Sequence, residues 1–444
     1  MLSVSLLATA VAGNDIIVHL EDRGYILESP PDITADAAVL LNMRTGEVIY
    51  EKNGSRAVYP ASAVKIMTAI VAVEHIWDAS NNVSLDTQVV TSHNAAHNAL
   101  GRRIGMIAGE VFTVEDLLNL ILVHGANDAC LAIAELVSGN ESAFVAKMNA
   151  RARELGALNT VFMNSTGIHH AEMVTTALDM AKISLHASAI PLIMEITSAP
   201  NYEIPPTNMR AGSLNLLNRN HFVSRAQNSR HFYEGARGLN AGGTDEAGNI
   251  LITVAEQPNN LAYLCVIMGA TSTYFAALGA YVANSFDDAR KLLDWAFAIY
   301  SYRTVLRRRE HILTVGVELA ANNDEITLVP EEDINLLLPR SVNIDEEISR
   351  IIRFHEESLF APIQQGQVLG EVALMYRGEV VASTNLLAAS DVELSNVLSI
   401  LDRIRNIVAR PWFAASVIIF LILLAGYIGL ALMRRTRRER KRFY

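Results

Sequence analysis

The chain has 444 residues, 51% of them hydrophobic, and a formal net charge of −11. That length allows two or three domains with real cores, and the acidic balance excludes a general affinity for nucleic acid. Its two cysteines, Cys130 and Cys265, both lie in apolar runs, which excludes a disulfide framework and predicts buried free thiols.

Taken in order, residues 1–12 are apolar and end in Ala10-Val11-Ala12, the small-x-small pattern of a signal-like segment, without the usual basic start. Ala37–Asn53 reads as a hairpin turning at Arg44-Thr45-Gly46. Pro60 then presets a turn or a first helical position. Ile66, Ala69, Ile70 and Val73 recur at helical spacing, so Ser62–Asp78 is predicted to be a mostly buried helix. Positions i and i+3 share a face, which sets the Lys65 amine within hydrogen-bond reach of the Ser62 hydroxyl. A lysine in a dry pocket has a lowered pKa and can take a serine proton. The ordinary alternative is a helix cap beside a solvated lysine, because Ser-x-x-Lys is common by chance. Against it stands the apolar run around Lys65, where a charge has to be paired or used.

Residues 110–137 carry a helical pattern twice, broken at His124-Gly125-Ala126. Glu141–Leu155 is a further helix ending at Gly156, and Leu178–His186 another. Ile250–Glu256 and Leu261–Ala270 read as strands, and Tyr274–Tyr300 as a long helix. Early strands, a helical middle and late strands predict one sheet completed by both ends of the domain, a layered α/β or α+β architecture.

Residues 303–390 hold short alternating runs and read as a small β-sandwich or barrel-like module. Over 391–410, Leu394, Val397, Leu401, Ile404 and Val408 form one stripe. Such an amphipathic helix lies in a membrane interface, packs on the β module, or pairs with a second copy. Residues 411–433 are 23 residues without a charge, enough to span a bilayer. The tail 434–444 carries seven basic residues and one acidic, so it marks the cytoplasmic side and leaves an outward-facing body of charge −17.

Other features read as structural. His93 and His97 have a metal-ligand spacing but no third ligand nearby, and no metal or cofactor is expected. Arg307-Arg308-Arg309 reads as a solvated linker, and Glu115-Asp116 as ordinary first-turn helix charge.

Four segments, 60–74, 113–129, 148–169 and 238–249, together resemble the low-molecular-weight penicillin-binding proteins, the serine-type D-Ala-D-Ala carboxypeptidases. Residues 362–389 extend the resemblance more weakly into the β module. The family's motifs are Ser-x-x-Lys, Ser-x-Asn and Lys-Thr-Gly. The resemblance implies a penicillin-binding (β-lactamase-like) α/β fold over residues 30–300, with a five-stranded antiparallel sheet between helices, followed by the all-β domain and one transmembrane helix. It makes Ser62 the nucleophile and Lys65 its base. The second motif reads Gly125-Ala126-Asn127, keeping Asn127 and placing Gly125 where the family has serine. The third reads Asn240-Ala241-Gly242 as the substrate-binding strand, without the lysine and threonine. In the resembled mechanism that serine relays a proton to the leaving amine, and the lysine and threonine hold the substrate's carboxylate.

Ser138-Gly139-Asn140 and Ser213-Leu214-Asn215 also fit Ser-x-Asn but are read as structural, because the family motif immediately precedes Asp128-Ala129. The implied partners are peptidoglycan stem peptides as substrate, β-lactams as acylating inhibitors and membrane lipid, with self-association through 391–433 as a further option. Two functions follow. One is a membrane-anchored carboxypeptidase trimming the terminal D-alanine through an acyl-enzyme at Ser62. The other is a catalytically impaired pseudoenzyme that binds wall or partner. A β-lactamase-like hydrolase fits less well, since no separate deacylation base is recognisable.

Overall fold

The structure is a computed structural model that describes residues 9–10, 15–18, 29–226, 230–258, 260–275 and 280–440. It divides into two compact units, Leu27–Ser301 and a second made of Met1–Ile26 with Tyr302–Tyr444.

In the first unit five strands form an antiparallel sheet: β1 (Ala37–Asn42), β2 (Val48–Lys52), β3 (Ala236–Thr244), β4 (Gly248–Glu256) and β5 (Ala262–Ala270). Their order is β2-β1-β5-β4-β3, so the first hairpin pairs with the last strand and β3 forms an open edge. Strand β5 is buried along almost its whole length, which is why its sequence is an unbroken apolar run rather than an alternating one. Leu264, Val266 and Met268 join the helical core, while the ring of Tyr263 lies 5.0 Å from that of Phe297 on the other side.

The helical core is built around α1 (Val64–Trp77), whose residues from Val64 to Val73 are all buried. Around it pack α2 (Asn127–Ser138), α3 (Glu141–Glu154) and α4 (Ala177–Ser188), while α5 (Pro191–Ser198) lies against β3. A helix apolar on every side is stable only when so enclosed. On the opposite face of the sheet, α6 (Ser285–Ile299) covers β4 and β5. Its fully buried Asp288 carboxylate accepts hydrogen bonds from the backbone N–H groups of Thr34 and Ala35 and from the Thr34 hydroxyl, at 2.8–3.0 Å. The start and end of this unit are thereby tied together.

The local structure departs from the sequence expectation in four places. Ser62 sits in a 3-10 turn, Ala61–Ala63, ahead of α1 rather than inside it. Val111–Thr113 is a strand paired with Gln88–Val90, and the helix begins only after Thr113, which forms a capping box with Asp116. Pro191–Ser198 is a helix the apolar spacing did not reveal. The expected long helix from Tyr274 is instead two short paired strands, Ser272–Phe275 and Ala280–Ala283, with α6 starting at Ser285. Aromatic and β-branched residues favour a ladder there, with Tyr274 and Tyr281 opposite each other. The acidic first turn at Asp287 and Asp288 marks the true helix start.

The second unit carries an eight-stranded sheet in the order Thr9–Ala10, Asp15–Val18, Ile348–Phe354, Val368–Tyr376, Glu379–Ala388, Glu325–Pro330, Leu313–Glu318 and Leu359–Phe360. Its own core centres on Leu306, Leu328, Val372, Leu374 and Leu386. Of the signal-like segment, Thr9–Ala10 is a strand and the rest lies outside the described residues. The helix α7 (Asn396–Val408), capped by Ser395, leaves its apolar stripe exposed. It is followed by α8 (Pro411–Arg440), of which Pro411–Ala431 is long and apolar enough to cross a membrane.

Replacing Asp288 by alanine strands the buried N–H of Ala35 and removes the acceptor of both Thr34 donors. Asp288→Ala is expected to lower the stability of the first unit by about 3 kcal/mol. Urea unfolding followed by circular dichroism would show this as an earlier midpoint, and an unmoved midpoint would mean the tie is dispensable.

Candidate active site

The Ser62 turn is held by a close backbone approach. Ala61 has φ of +40°, a conformation costly for a residue with a side chain. Gly167 has φ of +82°, and a Cβ there would run into the Ala61 carbonyl oxygen. The loop 164–168 therefore lies flat against the turn carrying Ser62. That loop also satisfies Lys65. In the first turn of α1 the side chain is only 4% exposed, and its amine donates to the carbonyl of Thr166. Burial is the main cause that lowers the Lys65 pKa from the ordinary 10.5, and the positive charges of Arg219 and Arg102 push the same way. The neighbouring Cys130 thiol is pushed up to about 12 by burial, so it supplies no counter-charge. Both cysteines are free and buried.

The Ser62 hydroxyl donates to Asn240 Oδ1 at 2.9 Å, not to Lys65 as the helical spacing had suggested. The reason is that Ser62 lies in the tighter turn before α1 and finds an acceptor on the facing strand, while Lys65 is already satisfied by Thr166. Asn240 and Ala241 are buried on β3, and Gly242 follows. A Cβ at 242 would overlap Ser62 Oγ, so only glycine lets the edge strand pass this close.

The third wall is the start of α2. Gly125 adopts φ of +80° as the chain leaves the turn Leu120–His124. Asn127 fixes the loop in front of it: its backbone N–H donates to the carbonyl of Arg102 at 2.8 Å, and its Nδ2 to that of Leu100 at 2.6 Å. The Asp128 carboxylate accepts from the N–H groups of Ile104, Gly105 and Met106 at 3.0–3.1 Å. Asn127 Oδ1 is buried without a partner among the described residues.

Ser62, Lys65, Gly125, Asn127 and Asn240–Gly242 thus line one cleft of about 150 Å³. Ser138-Gly139-Asn140 and Ser213-Leu214-Asn215 do not: Gly139 ends α2 with φ of +75°, Asn140 caps α3, and Leu214 begins a strand paired with Asn201–Ile204. Among the lining residues that escaped the sequence reading are two arginines, Arg102 and Arg219. Their local patterns are those of polar loops. The available signal was indirect: a site that lacks the family's lysine at 240 has to find its positive charge elsewhere.

Residues 26–272 match the family described as D-alanyl-D-alanine carboxypeptidase, and residues 300–394 match the C-terminal domain of penicillin-binding protein 5. The chain belongs to the D-alanyl-D-alanine carboxypeptidase family. It is similar to the carboxypeptidase DacF of Bacillus subtilis, 31% identical over 369 residues that span 83% of this chain and 88% of the relative. To DacA of Escherichia coli it is 26% identical over 412 residues, 89% and 93% of the two chains. Among solved structures, penicillin binding protein 5 from Haemophilus influenzae aligns with a TM-score of 0.60 at 26% identity, over 82% of this chain and 99% of the other. The carboxypeptidase DacD from Francisella tularensis gives 0.62 at 26%, over 84% and 98%. This carboxypeptidase family member is a low-molecular-weight penicillin-binding protein and a serine-type hydrolase with an α/β fold and a C-terminal β domain.

A lysine can act as base only when neutral, and the neutral fraction of Lys65 rises as pH passes its lowered pKa. The rate of labelling by a fluorescent penicillin is therefore expected to climb with pH and level off below 10.5, where an ordinary lysine titrates. Lys65→Arg, which stays protonated, should lower that rate by about 10²–10⁴-fold. A pH-independent rate would remove Lys65 from the proton path.

Proposed function

We propose that the chain is a membrane-anchored carboxypeptidase that removes the terminal D-alanine of peptidoglycan stem peptides through an acyl-enzyme at Ser62. The observation that carries this reading is the meeting of Ser62 with a buried, carboxylate-free Lys65 in a cleft walled by the open edge strand β3. A peptide substrate adds to that edge as a further strand. The buried Asn127 Oδ1, which has no partner among the described residues, accepts one of its N–H groups.

For attack, the Ser62 hydroxyl turns from Asn240 towards Lys65, which takes its proton as Oγ bonds to the carbonyl carbon. Negative charge on the carbonyl oxygen is met by backbone donors, the Ser62 N–H among them. The C–N bond then breaks as the Lys65 ammonium returns the proton to the leaving D-alanine amine. With no hydroxyl at Gly125, a water in that space relays it. Water hydrolyses the resulting ester. The second reading, a pseudoenzyme that binds wall or partner, draws on the resting hydrogen bond from Ser62 to Asn240 and on the missing hydroxyl at 125.

The detergent-solubilised full chain, incubated with penicillin, is expected to gain the mass of one drug molecule on Ser62, slowly, and Ser62→Ala to gain none. D-Alanine release from a stem-peptide mimic should be measurable but low, because loss of a positioned relay costs about 10²–10⁴-fold. Labelling without release favours the binding module; no labelling at all rejects the acyl-enzyme.

The anchoring part of the proposal rests on the apolar stretch Pro411–Ala431 and the basic residues after it. Residues 434–444 lie in the cytoplasm and the body outside. Protease added to intact protoplasts should digest the body and spare an epitope on the tail; a protected body reverses the orientation.

A further inference from the structure

We propose that Arg102, acting with Arg219, is the specificity residue that holds the substrate's terminal carboxylate. Together they take over, from the opposite wall, the charge that β3 lacks at Asn240. This rests on reading the cleft as a carboxypeptidase site.

The β3 wall offers no cation, since Asn240 is neutral and its side-chain oxygen is occupied by the Ser62 hydroxyl. Positive charge lies across the cleft instead. A Cβ built on Gly125 would have Arg219 Cδ at 3.3 Å and Arg102 Cδ at 3.6 Å. Arg219 reaches further over: its Nη2 lies 3.8 Å from where a Cβ of Gly242 would sit, the point that Ser62 Oγ crowds. The Arg219 side chain thus runs from the second-motif position towards the serine, with Arg102 beside it.

Among the described residues neither guanidinium has an ion-pair or hydrogen-bond partner, and none of those lining the cleft is acidic. Two adjacent cations with no counter-ion are mutually unfavourable. Burial and the charge of Arg102 together push Arg219 down to about 10. An anion between them relieves that repulsion, and a planar carboxylate matches the guanidinium fork.

The loop that presents Arg102 is held in place before any ligand arrives. Asn127 bonds the carbonyl of Arg102, and Asp128 clamps the N–H groups of Ile104, Gly105 and Met106. Gly101, with φ of +74°, lets the backbone pass Ile168 and the Asn127 amide. A pre-set donor loses less on binding than a flexible one. The glycine at 125 belongs to the same arrangement. A side chain there would be strained at φ of +80°, would press on the Arg219 stem and would touch that of Arg102. With no side chain at 125, the two arginine stems occupy the space beside it, an anion grip where the family motif has a serine. The ligand class is a peptide ending in a free carboxylate, and C-terminally amidated peptides are rejected.

Binding can be separated from turnover by using the full-length Ser62→Ala protein in detergent, with two fluorescent stem-peptide mimics that differ only in a terminal carboxylate or carboxamide. The acid is expected to bind about 10–100-fold more tightly than the amide. Arg102→Ala should erase most of that difference and leave amide binding and the melting temperature unchanged, since Arg102 is exposed. Arg102→Lys should keep part of it. Adding Asn240→Lys to Arg102→Ala should restore acid binding by returning the charge to the β3 wall. Equal binding of acid and amide, failure to bind the acid, or an equal loss of both on Arg102→Ala overturns the assignment. If discrimination holds while penicillin fails to label Ser62, the anchor stands and the acyl-enzyme reading falls. If labelling holds without discrimination, the reverse is true.

Discussion

A lysine amine enclosed in the first turn of an apolar helix sets the terms for everything around it. Taking Lys65 out of water with no carboxylate nearby makes its charged form costly. The fold resolves this with one backbone carbonyl, that of Thr166, and so the 164–168 loop must be pressed against α1. That contact in turn demands a glycine at 167 and forces Ala61 into a positive φ, which aims the following serine at the cleft. The strained residue, the missing side chain and the buried amine are consequences of one requirement. They are held by a core in which α1 is buried over ten consecutive residues.

Much of this was legible from the chain alone. Apolar periodicity located α1, α3 and α4, and unbroken apolar runs located β4 and β5, because burial on all sides leaves a signature that needs no partner to be read. The Ser62 and Lys65 pair was legible through its spacing in an apolar run, whereas Gly125, Asn127 and Asn240–Gly242 were found only through the resemblance to the family's motifs. What local pattern could not show was anything decided across the fold. The stretch around Tyr274 and Tyr281 scans as helix until cross-strand pairing claims it. Asp15–Val18 belongs to a sheet whose neighbouring strand lies more than 300 residues further on. The partner of the Ser62 hydroxyl comes from residue 240. Arg102 and Arg219 sit in polar loops, and only the convergence of Gly125 and Gly242 reveals that their side chains enter the cleft.

The two units solve different problems. In the first, both faces of the central strand are covered, and the Ser62 hydroxyl and the Lys65 amine are each held by a neighbour. In the second, a broad, mostly antiparallel sheet with its own apolar core precedes an amphipathic helix whose apolar stripe is exposed and then a helix of membrane-spanning length. Exposed apolar surface on that scale is tolerated only where something other than water meets it.

The strand order carries a consequence for how the chain reaches this state. Because β5 lies between β1 and β4, the hairpin made first waits for the strand made last, and Thr34 and Ala35 wait longer still for Asp288. No N-terminal fragment stopping short of Ala270 can cover the inner edge of β1, so the half-made protein carries an unpaired, apolar strand. Closure over more than two hundred residues is slow, and the intermediate is prone to pair with the wrong edge. The architecture that brings distant residues to one serine therefore makes the newly emerging chain dependent on protection until its last sheet strand has arrived.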